Sequence, residues 1–273
     1  MLKLFSPAKL NLFLEVLNKY NDGYHAISTV FERIALFDEI SIAEGPGRDI
    51  VIKSSSKDIP KDKRNIVYKA ADFLREDFRV NKGLTIRIKK RIPVGAGLGG
   101  GSSNAASTLL GLNRLWGLKL SRQKLFSYGA KLGADVAFFL SGAPFASGNG
   151  RGDKIRALSR FKKKLWHIVL VPKAKVSTRE IYAEFDTLNT RIRPEKKIRG
   201  LFFNRLEEAT FRKYPRVKEL KERLAAQGIV NALMSGSGGA VFGIVNSRKE
   251  GERIARVFRR EKDLRVFVVS TAL

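Results

Sequence analysis

The spacing of hydrophobic residues along this chain predicts a mixed α and β protein that begins with strands. Apolar residues dominate positions 9–16, branched residues fill positions 26–35, and positions 39–43 alternate between apolar and polar. Alternation returns at positions 84–89, where apolar residues stand at every second place. Period-two patterns of this kind are typical of strands with one face in a core. We therefore expect strands in all four segments.

Helical spacing appears between these strands. Asn65 is a favourable N-cap residue, and the apolar positions from Val67 to Phe78 recur every three or four residues, which predicts one buried stripe on a helix. A second helix is expected after the glycine-rich segment that follows the strand at 84–89, ending before Gly117. A third helix is expected to begin at Ser121.

The second half of the chain repeats this mixture. Strands are predicted at 165–171, 240–245 and 264–270, and helices after Ser177, at 215–227 and after Ser247. Small and polar residues at 142–153 separate the two halves, so we predict an N-terminal domain over residues 1–153 and a C-terminal domain over residues 154–273. The predicted fold class is α+β with two domains.

Composition narrows the class of protein. The chain of 273 residues is 44% hydrophobic, which is enough for one large or two medium cores. It has no apolar run of the roughly 18 residues that a membrane helix needs, and its N-terminus lacks a signal-peptide pattern. The absence of cysteine excludes a disulfide framework and a thiolate metal site. We expect a cytoplasmic protein without a membrane partner.

The charge is strongly positive, with 53 Lys and Arg against 26 Asp and Glu and a formal net charge of +27. Residues 78–134 contain eleven basic residues and no acid. A positive field of this kind attracts phosphates, nucleic acids and acidic membranes. The same excess of basic residues also occurs without a binding function, in a basic proteome or as an adaptation to heat. A basic nucleic-acid-binding protein therefore stays open as an alternative.

A glycine-rich loop lies inside the acid-free window. Residues 93–106 read PVGAGLGGGSSNAA, which places five glycines directly before a predicted helix. Glycine lets the backbone approach a ligand closely, so successive N–H groups and the helix N-terminus can bind phosphate oxygens. Ser102 and Ser103 either cap the helix or contact phosphate or magnesium, and both uses stay open.

Three familiar glycine loops do not fit this segment. A dinucleotide fold needs an acid about 20 residues further on, but no Asp or Glu occurs before Asp135. A Walker loop needs Lys after its last glycine, whereas Ser102 follows Gly101. The catalytic motifs of protein kinases are absent as well.

The glycine loop resembles the second motif of the GHMP small-molecule kinases. Residues 6–14 (SPAKLNLFL), 22–25 (DGYH), 132–136 (LGADV) and 235–238 (SGSG) are similar to motifs of the subfamily that acts on 4-diphosphocytidyl-2-C-methyl-D-erythritol in the non-mevalonate isoprenoid pathway. The resemblance implies a two-domain GHMP kinase architecture with the phosphate loop between a strand and a helix. It also implies ATP and Mg²⁺ as cofactors and phosphorylation of the substrate's 2-hydroxyl. A GHMP kinase for another small alcohol is the nearest alternative.

The resemblance also implies two catalytic residues. Asp135 would accept the proton of the attacking hydroxyl, and Lys9 would keep Asp135 ionised and offset charge on the transferred phosphoryl group. Asp135 is otherwise explained as a helix N-cap and Lys9 as a solvated surface lysine. The resemblance assigns no magnesium ligands.

The same resemblance implies two sets of contacts. The nucleotide contacts are Asn65, Pro93, Val94, Gly95, Ala96, Gly97, Leu98, Gly99, Gly100, Gly101, Ser102 and Ser103. The substrate contacts are Asn11, Tyr24, His25, Thr178, Tyr182, Ser237 and Gly238. Within the second set, two tyrosines would stack on the cytosine base. Helix capping alone also explains Asn65 and Thr178, and a tight turn alone explains residues 234–239.

The expected partner is thus a small molecule with a cytidine diphosphate group, with no specific nucleic acid. Two positions depart from the family pattern: Ala137 stands where proline is usual, and residues 146–153 are about two residues longer than usual. His167, inside a predicted strand, is expected to be structural.

Overall fold

The computed structural model of the chain describes residues 1–159, 161, 163–188 and 202–273. The chain divides into two compact units. Unit 1 comprises Met1–Ala8, Leu36–Val94 and Gly99–Gly142, and unit 2 comprises Lys9–Ala35, Gly95–Leu98 and Ala143–Leu273. The domain boundary that the sequence places after residue 153 stays a prediction.

The chain mixes strands and helices, as the hydrophobic pattern predicts. The strands of the described residues are β1 (Leu2–Lys19), β2 (His25–Gly45), β3 (Ile50–Ser54), β4 (Gly83–Lys89), β5 (Phe145–Asn149), β6 (Lys154–Ala157), β7 (Trp166–Pro172), β8 (Phe203–Asn204), β9 (Leu233–Met234), β10 (Val241–Val245) and β11 (Leu264–Ser270). The helices are α1 (Ile66–Asp77), α2 (Gly100–Leu115), α3 (Arg122–Leu132), α4 (Ala134–Ser141), α5 (Thr178–Thr187), α6 (Glu207–Lys213), α7 (Pro215–Ala225) and α8 (Arg248–Phe258). None of these helices combines the length and apolar character that a bilayer crossing requires.

Unit 1 packs helices against the end of a sheet. The C-terminal part of β2 pairs antiparallel with β4, with Ile40 opposite Ile88, and β3 pairs parallel with β4. Helix α2 packs against α1 and α4. The inward positions of the strands and of α2, such as Ile42, Ile86 and Leu109, are fully buried. The glycine loop joins β4 to α2, as predicted.

Unit 2 contains a four-stranded sheet in the order β11-β7-β10-β9, in which neighbouring strands are antiparallel. Helices α7 and α8 cover it. Their apolar residues join those of β7 and β10 in one core that includes Ile168, Leu170, Leu220, Val241 and Ile254. In the same unit, the first part of β2 pairs with β5, and β8 runs parallel to β1.

Two features of the strand pattern differ from the prediction. The segments at 26–35 and 39–43 form one strand, β2, because Leu36 and Asp38 are buried while Phe37 is half-buried, so the alternation continues without a break. The small residues at 142–153, on which the boundary prediction rests, include strand β5. A Cβ atom at Gly148 would lie 2.7 Å from a ring carbon of Phe31, so the small residue permits close packing against β2.

Candidate active site

The glycine loop has the backbone shape of an anion cradle. Gly97 and Gly99 adopt positive φ angles of 74° and 66°, in the left-handed region that side chains rarely adopt. Gly99 is the N-cap of α2, and among the described residues no side-chain hydrogen bond caps that helix. The first N–H groups of α2 are therefore left for a ligand, and the helix dipole adds positive potential at the same place.

The first part of the loop packs against the serine-glycine turn, which we define as residues 235–239. A Cβ atom at Gly97 would lie 2.1 Å from the carbonyl oxygen of Ser235, so the two backbones are in direct contact. The hydroxyl of Ser235 donates to the carbonyl of Gly97 (3.1 Å), and the N–H of Ala240 donates to the carbonyl of Ala96 (3.0 Å). Residues 95–98 are thus held in place from outside the loop.

The helix-capping alternative for the two loop serines is wrong. Ser102 and Ser103 lie inside α2, and Gly99 takes the capping position instead. The hydroxyl oxygen of Ser103 is buried and has no hydrogen-bond partner among the residues that the structure describes. Its contact with phosphate or a metal ion stays a prediction.

Lys9 lies in the interior of unit 2, so the surface-lysine alternative is wrong. It is 3% exposed, its Nζ donates to Oδ1 of Asn11 (2.5 Å), and its N–H donates to the carbonyl of Leu98 (3.0 Å). The amide of Asn11 donates in turn to Thr29 (2.8 Å). A Cβ atom at Gly236 would lie 3.2 Å from the Lys9 ammonium nitrogen. The structure therefore brings the lysine to both the glycine loop and the serine-glycine turn.

Asp135 occupies the first turn of α4 in unit 1, one residue after the helix begins at Ala134. The N-cap alternative is wrong, because Gly133 is the N-cap and makes no side-chain hydrogen bond. A negatively charged side chain in the first turn interacts favourably with the helix dipole. Ala137, two residues later, is buried in the same helix.

Two of the predicted base-binding residues form an aromatic cluster in unit 2. The ring of His25 stacks on the ring of Tyr182, with centroids 5.0 Å apart and an angle of 27° between the planes. Phe185 meets the histidine edge-on at 6.1 Å. Asp186 accepts from Nε2 of His25 (2.7 Å) and from Nζ of Lys19 (2.6 Å). The carboxylate therefore fixes the orientation of the histidine ring.

Asp186 is a neighbour of the predicted substrate contacts that the sequence reasoning missed. Burial alone would raise its pKa, but the hydrogen bonds from Lys19 and His25 prevail and hold the pKa below its ordinary value. The sequence could have indicated Asp186 as a neighbour of Tyr182, because the two residues stand four positions apart and share one face of α5.

Tyr24 lies in the turn between β1 and β2 and is 61% exposed. The guanidinium of Arg151 lies 4.5 Å from the centroid of its ring. Arg151 also pairs with Asp22 of the same turn. Arg151 belongs to residues 146–153, the segment that the sequence analysis expects to be longer than the family pattern.

The remaining predicted contacts lie at the start of α5 and at the serine-glycine turn. Ser177 caps α5, as the capping box predicts, which leaves the Thr178 hydroxyl to hydrogen-bond with Oγ of Ser237 (2.7 Å). Gly238 packs closely against Met234 and Thr210. The tight-turn interpretation is confirmed for this segment, which joins β9 to β10. Its role in binding stays a prediction.

Asn65 caps α1, as predicted. Its Oδ1 accepts from the N–H of Val67 (2.9 Å), and its Nδ2 donates to the carbonyl of Pro60 (2.6 Å). Its proposed contact with a nucleotide stays a prediction. His167 is structural, as expected, because it is fully buried and its Nε2 lies 2.9 Å from Oε1 of Glu32.

Comparison with known proteins places this chain among small-molecule kinases. The model of the GHMP kinases N terminal domain matches residues 65–143, and that of the GHMP kinases C terminal matches residues 189–263. The 4-diphosphocytidyl-2-C-methyl-D-erythritol kinase of Clostridioides difficile strain 630 is 38% identical over 99% of this chain and 95% of that protein. The chain belongs to the GHMP kinase family. The corresponding kinase of Bacillus velezensis is 41% identical over 91% of this chain and 90% of that protein.

Solved structures of GHMP kinases share the fold. A crystal structure of 4-(cytidine 5'-diphospho)-2C-methyl-D-erythritol kinase aligns with a TM-score of 0.80 and 30% identity, covering 99% of this chain and 100% of the other. Homoserine kinase from Cytophaga hutchinsonii aligns with a TM-score of 0.69 and 16% identity over 99% of this chain and 94% of the other, which indicates the fold alone. The predicted α+β GHMP kinase fold is confirmed, and ATP is the phosphate donor of this family.

Proposed function

We propose that this GHMP kinase transfers the γ-phosphoryl group of ATP to the 2-hydroxyl of 4-diphosphocytidyl-2-C-methyl-D-erythritol, in non-mevalonate isoprenoid precursor biosynthesis. The names and coverage of the relatives support this substrate. The structural observation that carries the proposal is the stacking of His25 on Tyr182, because a cytosine base needs an aromatic face and mevalonate or homoserine would not. The cytoplasm, where ATP is available, is the proposed location.

The glycine loop is proposed to bind the triphosphate. Its backbone N–H groups and the N-terminus of α2 would face the phosphate oxygens, and the hydroxyls of Ser102 and Ser103 would add donors. The positive φ angles of Gly97 and Gly99 support this role, as does the orphan hydroxyl of Ser103. A residue with a side chain at either glycine would strain the backbone or fill the cradle.

Asp135 and Lys9 are the proposed catalytic residues. The substrate oxygen attacks the γ-phosphorus, the bond to the β-γ bridging oxygen breaks, ADP leaves, and Asp135 takes the hydroxyl proton. Phosphoryl transfer passes through a loose transition state, so charge compensation and alignment contribute most of the rate. Lys9 is suited to this role because burial and the bond to Asn11 fix its ammonium group in one place.

Magnesium is proposed to accompany ATP and to neutralise charge on its β- and γ-phosphates. The described residues contain no group of three or more His, Asp or Glu side chains that would form a metal site. Mg²⁺ commonly binds through substrate phosphates with only one or two carboxylates, and the free hydroxyl of Ser103 is compatible with such a site. The ligand set is left open.

The cytidine end is proposed to lie against Tyr182 and Tyr24, with His25 and Asn11 as polar contacts. Thr178, Ser237 and Gly238 would line the same cleft. His25 is suited to hydrogen-bond a base edge because Asp186 holds one ring nitrogen and leaves the other for a ligand. No specific nucleic-acid partner is expected despite the positive charge.

The test is a product assay. Purified protein is incubated with ATP, Mg²⁺ and 4-diphosphocytidyl-2-C-methyl-D-erythritol, and the phosphorylated product is measured by mass spectrometry. Mevalonate and homoserine serve as control alcohols. We expect turnover with the cytidyl substrate alone, and competition by CDP. Turnover with a control alcohol and no competition by CDP would assign the chain to another GHMP substrate. Salt-dependent binding to DNA without turnover of any alcohol would favour a nucleic-acid-binding protein.

A further inference from the structure

Asp38 is a buried carboxylate that no step above uses. It lies in β2 between Leu36 and Ile40, on the face of the strand that points into unit 1, and its side chain is fully buried. An ionised group in this position is costly unless it is fully hydrogen-bonded. The surroundings of Asp38 meet that condition with four donors.

The two carboxylate oxygens have different partners. Oδ1 accepts from the backbone N–H groups of Arg91 (2.7 Å) and Ile92 (2.9 Å). Oδ2 accepts from the ammonium group of Lys90 (2.5 Å) and from the side-chain amide of Asn104 (3.0 Å). The side chain of Lys90 is 6% exposed, and Asn104 is 2% exposed.

These partners stand on the two chain segments that lead into and out of the glycine loop. The pairing of β2 with β4 ends where Glu39 faces Lys89, so the next backbone N–H groups lose their strand partner. The Asp38 side chain replaces that partner for the two residues directly before Pro93. Asn104, on the other side of the loop, belongs to α2. One carboxylate therefore fixes both ends of the loop.

Lys90 adds a second link to the start of α2. A Cβ atom at Gly100 would lie 2.8 Å from the Lys90 ammonium nitrogen, so the lysine lies against the first residue of the helix. Asp38 binds this ammonium group and thereby sets where its positive charge lies relative to the loop. A buried ion pair often contributes little net stability compared with well-packed apolar residues. The main effect of this ion pair is to fix the position of the Lys90 ammonium group.

We propose that Asp38 is a positioning residue for nucleotide binding, which holds the two ends of the glycine loop at the separation that the phosphates require. The proposal rests on the proposed role of the loop in binding ATP. Asp38 acts through Lys90, the backbone at 91–92 and Asn104, and does not touch the nucleotide. Loss of the carboxylate should weaken ATP binding while the aromatic cluster of unit 2 keeps its ligand affinity.

The experiment compares Asp38→Asn with Glu32→Gln. Glu32 is a matched control because it is also a fully buried carboxylate, hydrogen-bonded to His167 (2.9 Å) and Thr271 (2.6 Å) in unit 2. Dissociation constants for ATP and for CDP are measured by calorimetry at a temperature at which both variants are folded. We expect Asp38→Asn to weaken ATP binding at least tenfold and CDP binding less than twofold. Glu32→Gln should lower the melting temperature and leave ATP affinity within twofold.

A milder variant keeps the proposal testable if Asp38→Asn does not fold. Asn104→Ala removes only one of the four donors, and we expect it to weaken ATP binding at least threefold with CDP binding unchanged. The positioning role is overturned if the folded Asp38→Asn protein binds ATP within twofold of wild type. If Asp38→Asn does not fold, the same result in Asn104→Ala overturns it. Gly99→Val distinguishes a failure of the positioning role from a failure of the proposed function. Retained ATP affinity in that variant would show that the loop does not bind the phosphates at all.

Discussion

Replacing Tyr182 with alanine removes the ring on which His25 stacks, and the proposed function makes this a selective change. The ring belongs to the aromatic cluster of unit 2, so the variant should lose affinity for the cytidyl substrate and keep its affinity for ATP. The rings lie 5.0 Å apart at 27°, within the range of an offset stack. His25 has a second anchor in Asp186 at 2.7 Å, so we expect its ring to stay in place when the tyrosine is removed.

The expected size follows from the loss of one stacking face. Base stacking on an aromatic side chain contributes about 1–3 kcal/mol per base. Since 1.4 kcal/mol corresponds to about a tenfold change in affinity, the dissociation constant should rise roughly 5- to 150-fold. Binding energy from the base also helps to align the remote hydroxyl with the γ-phosphate, so kcat should fall as well as affinity.

Calorimetric titration with CDP and with ATP provides the assay, and Tyr182→Phe is the matched control. The phenylalanine variant keeps the ring and removes only the hydroxyl, so it should bind CDP nearly as wild type does. The reasoning is refuted if Tyr182→Ala binds CDP within twofold of wild type, or if both variants lose the same affinity. The second result would assign the effect to the hydroxyl rather than to stacking.

Three further predictions address the other parts of the site. Asp135→Asn should reduce kcat at least about a hundredfold with little change in ATP affinity, and near-normal turnover would remove this residue from the mechanism. Gly99→Val should abolish ATP binding measured by calorimetry, because a branched side chain is strained at a φ of 66°, while circular dichroism should report a folded protein. The pKa of Asp186 lies below its ordinary value of 3.8, so its ionised form stabilises the folded state above about pH 4 and this contribution is lost as the pH falls further. The unfolding free energy of wild type should therefore exceed that of Asp186→Asn at pH 6 in urea titrations, and the difference should shrink towards pH 3. A constant difference would contradict the hydrogen bonds from Lys19 and His25 as the cause of the lowered pKa.

Local chemistry made much of the fold predictable from the sequence. Four helices have an N-cap whose side chain accepts a hydrogen bond from an N–H group two or three residues further along the chain. These N-caps are Asn65, Ser121, Ser177 and Ser247. The alternation at 84–89 produced β4, and the run of glycines after it produced the loop before α2. These features depend on neighbours within a few positions, so the order of residues is enough to predict them.

The site was only partly predictable, because its residues meet across long stretches of chain. The motifs identified Lys9, His25 and Tyr182 as candidates, but no local pattern indicates that Lys9 is 3% exposed or that His25 stacks on a ring from α5. Ser103 was equally compatible with a helix cap and with a phosphate contact until the structure placed Gly99 in the cap position. The cap position has a φ of 66°, which glycine adopts readily and serine rarely does.

By itself, the sequence predicted most of the helices and strands, the glycine-rich loop before α2 and the family, since each follows from residue types at short and fixed spacing. Only the tertiary structure decided which charged groups are buried and what they bind. Asp38 accepts from Asn104, 66 positions away, and His25 meets Asp186, 161 positions away. A buried charge must find its partners wherever folding brings donors together, because leaving it unpaired is costly. Those partners are set by strand register and helix packing, which are properties of the whole chain.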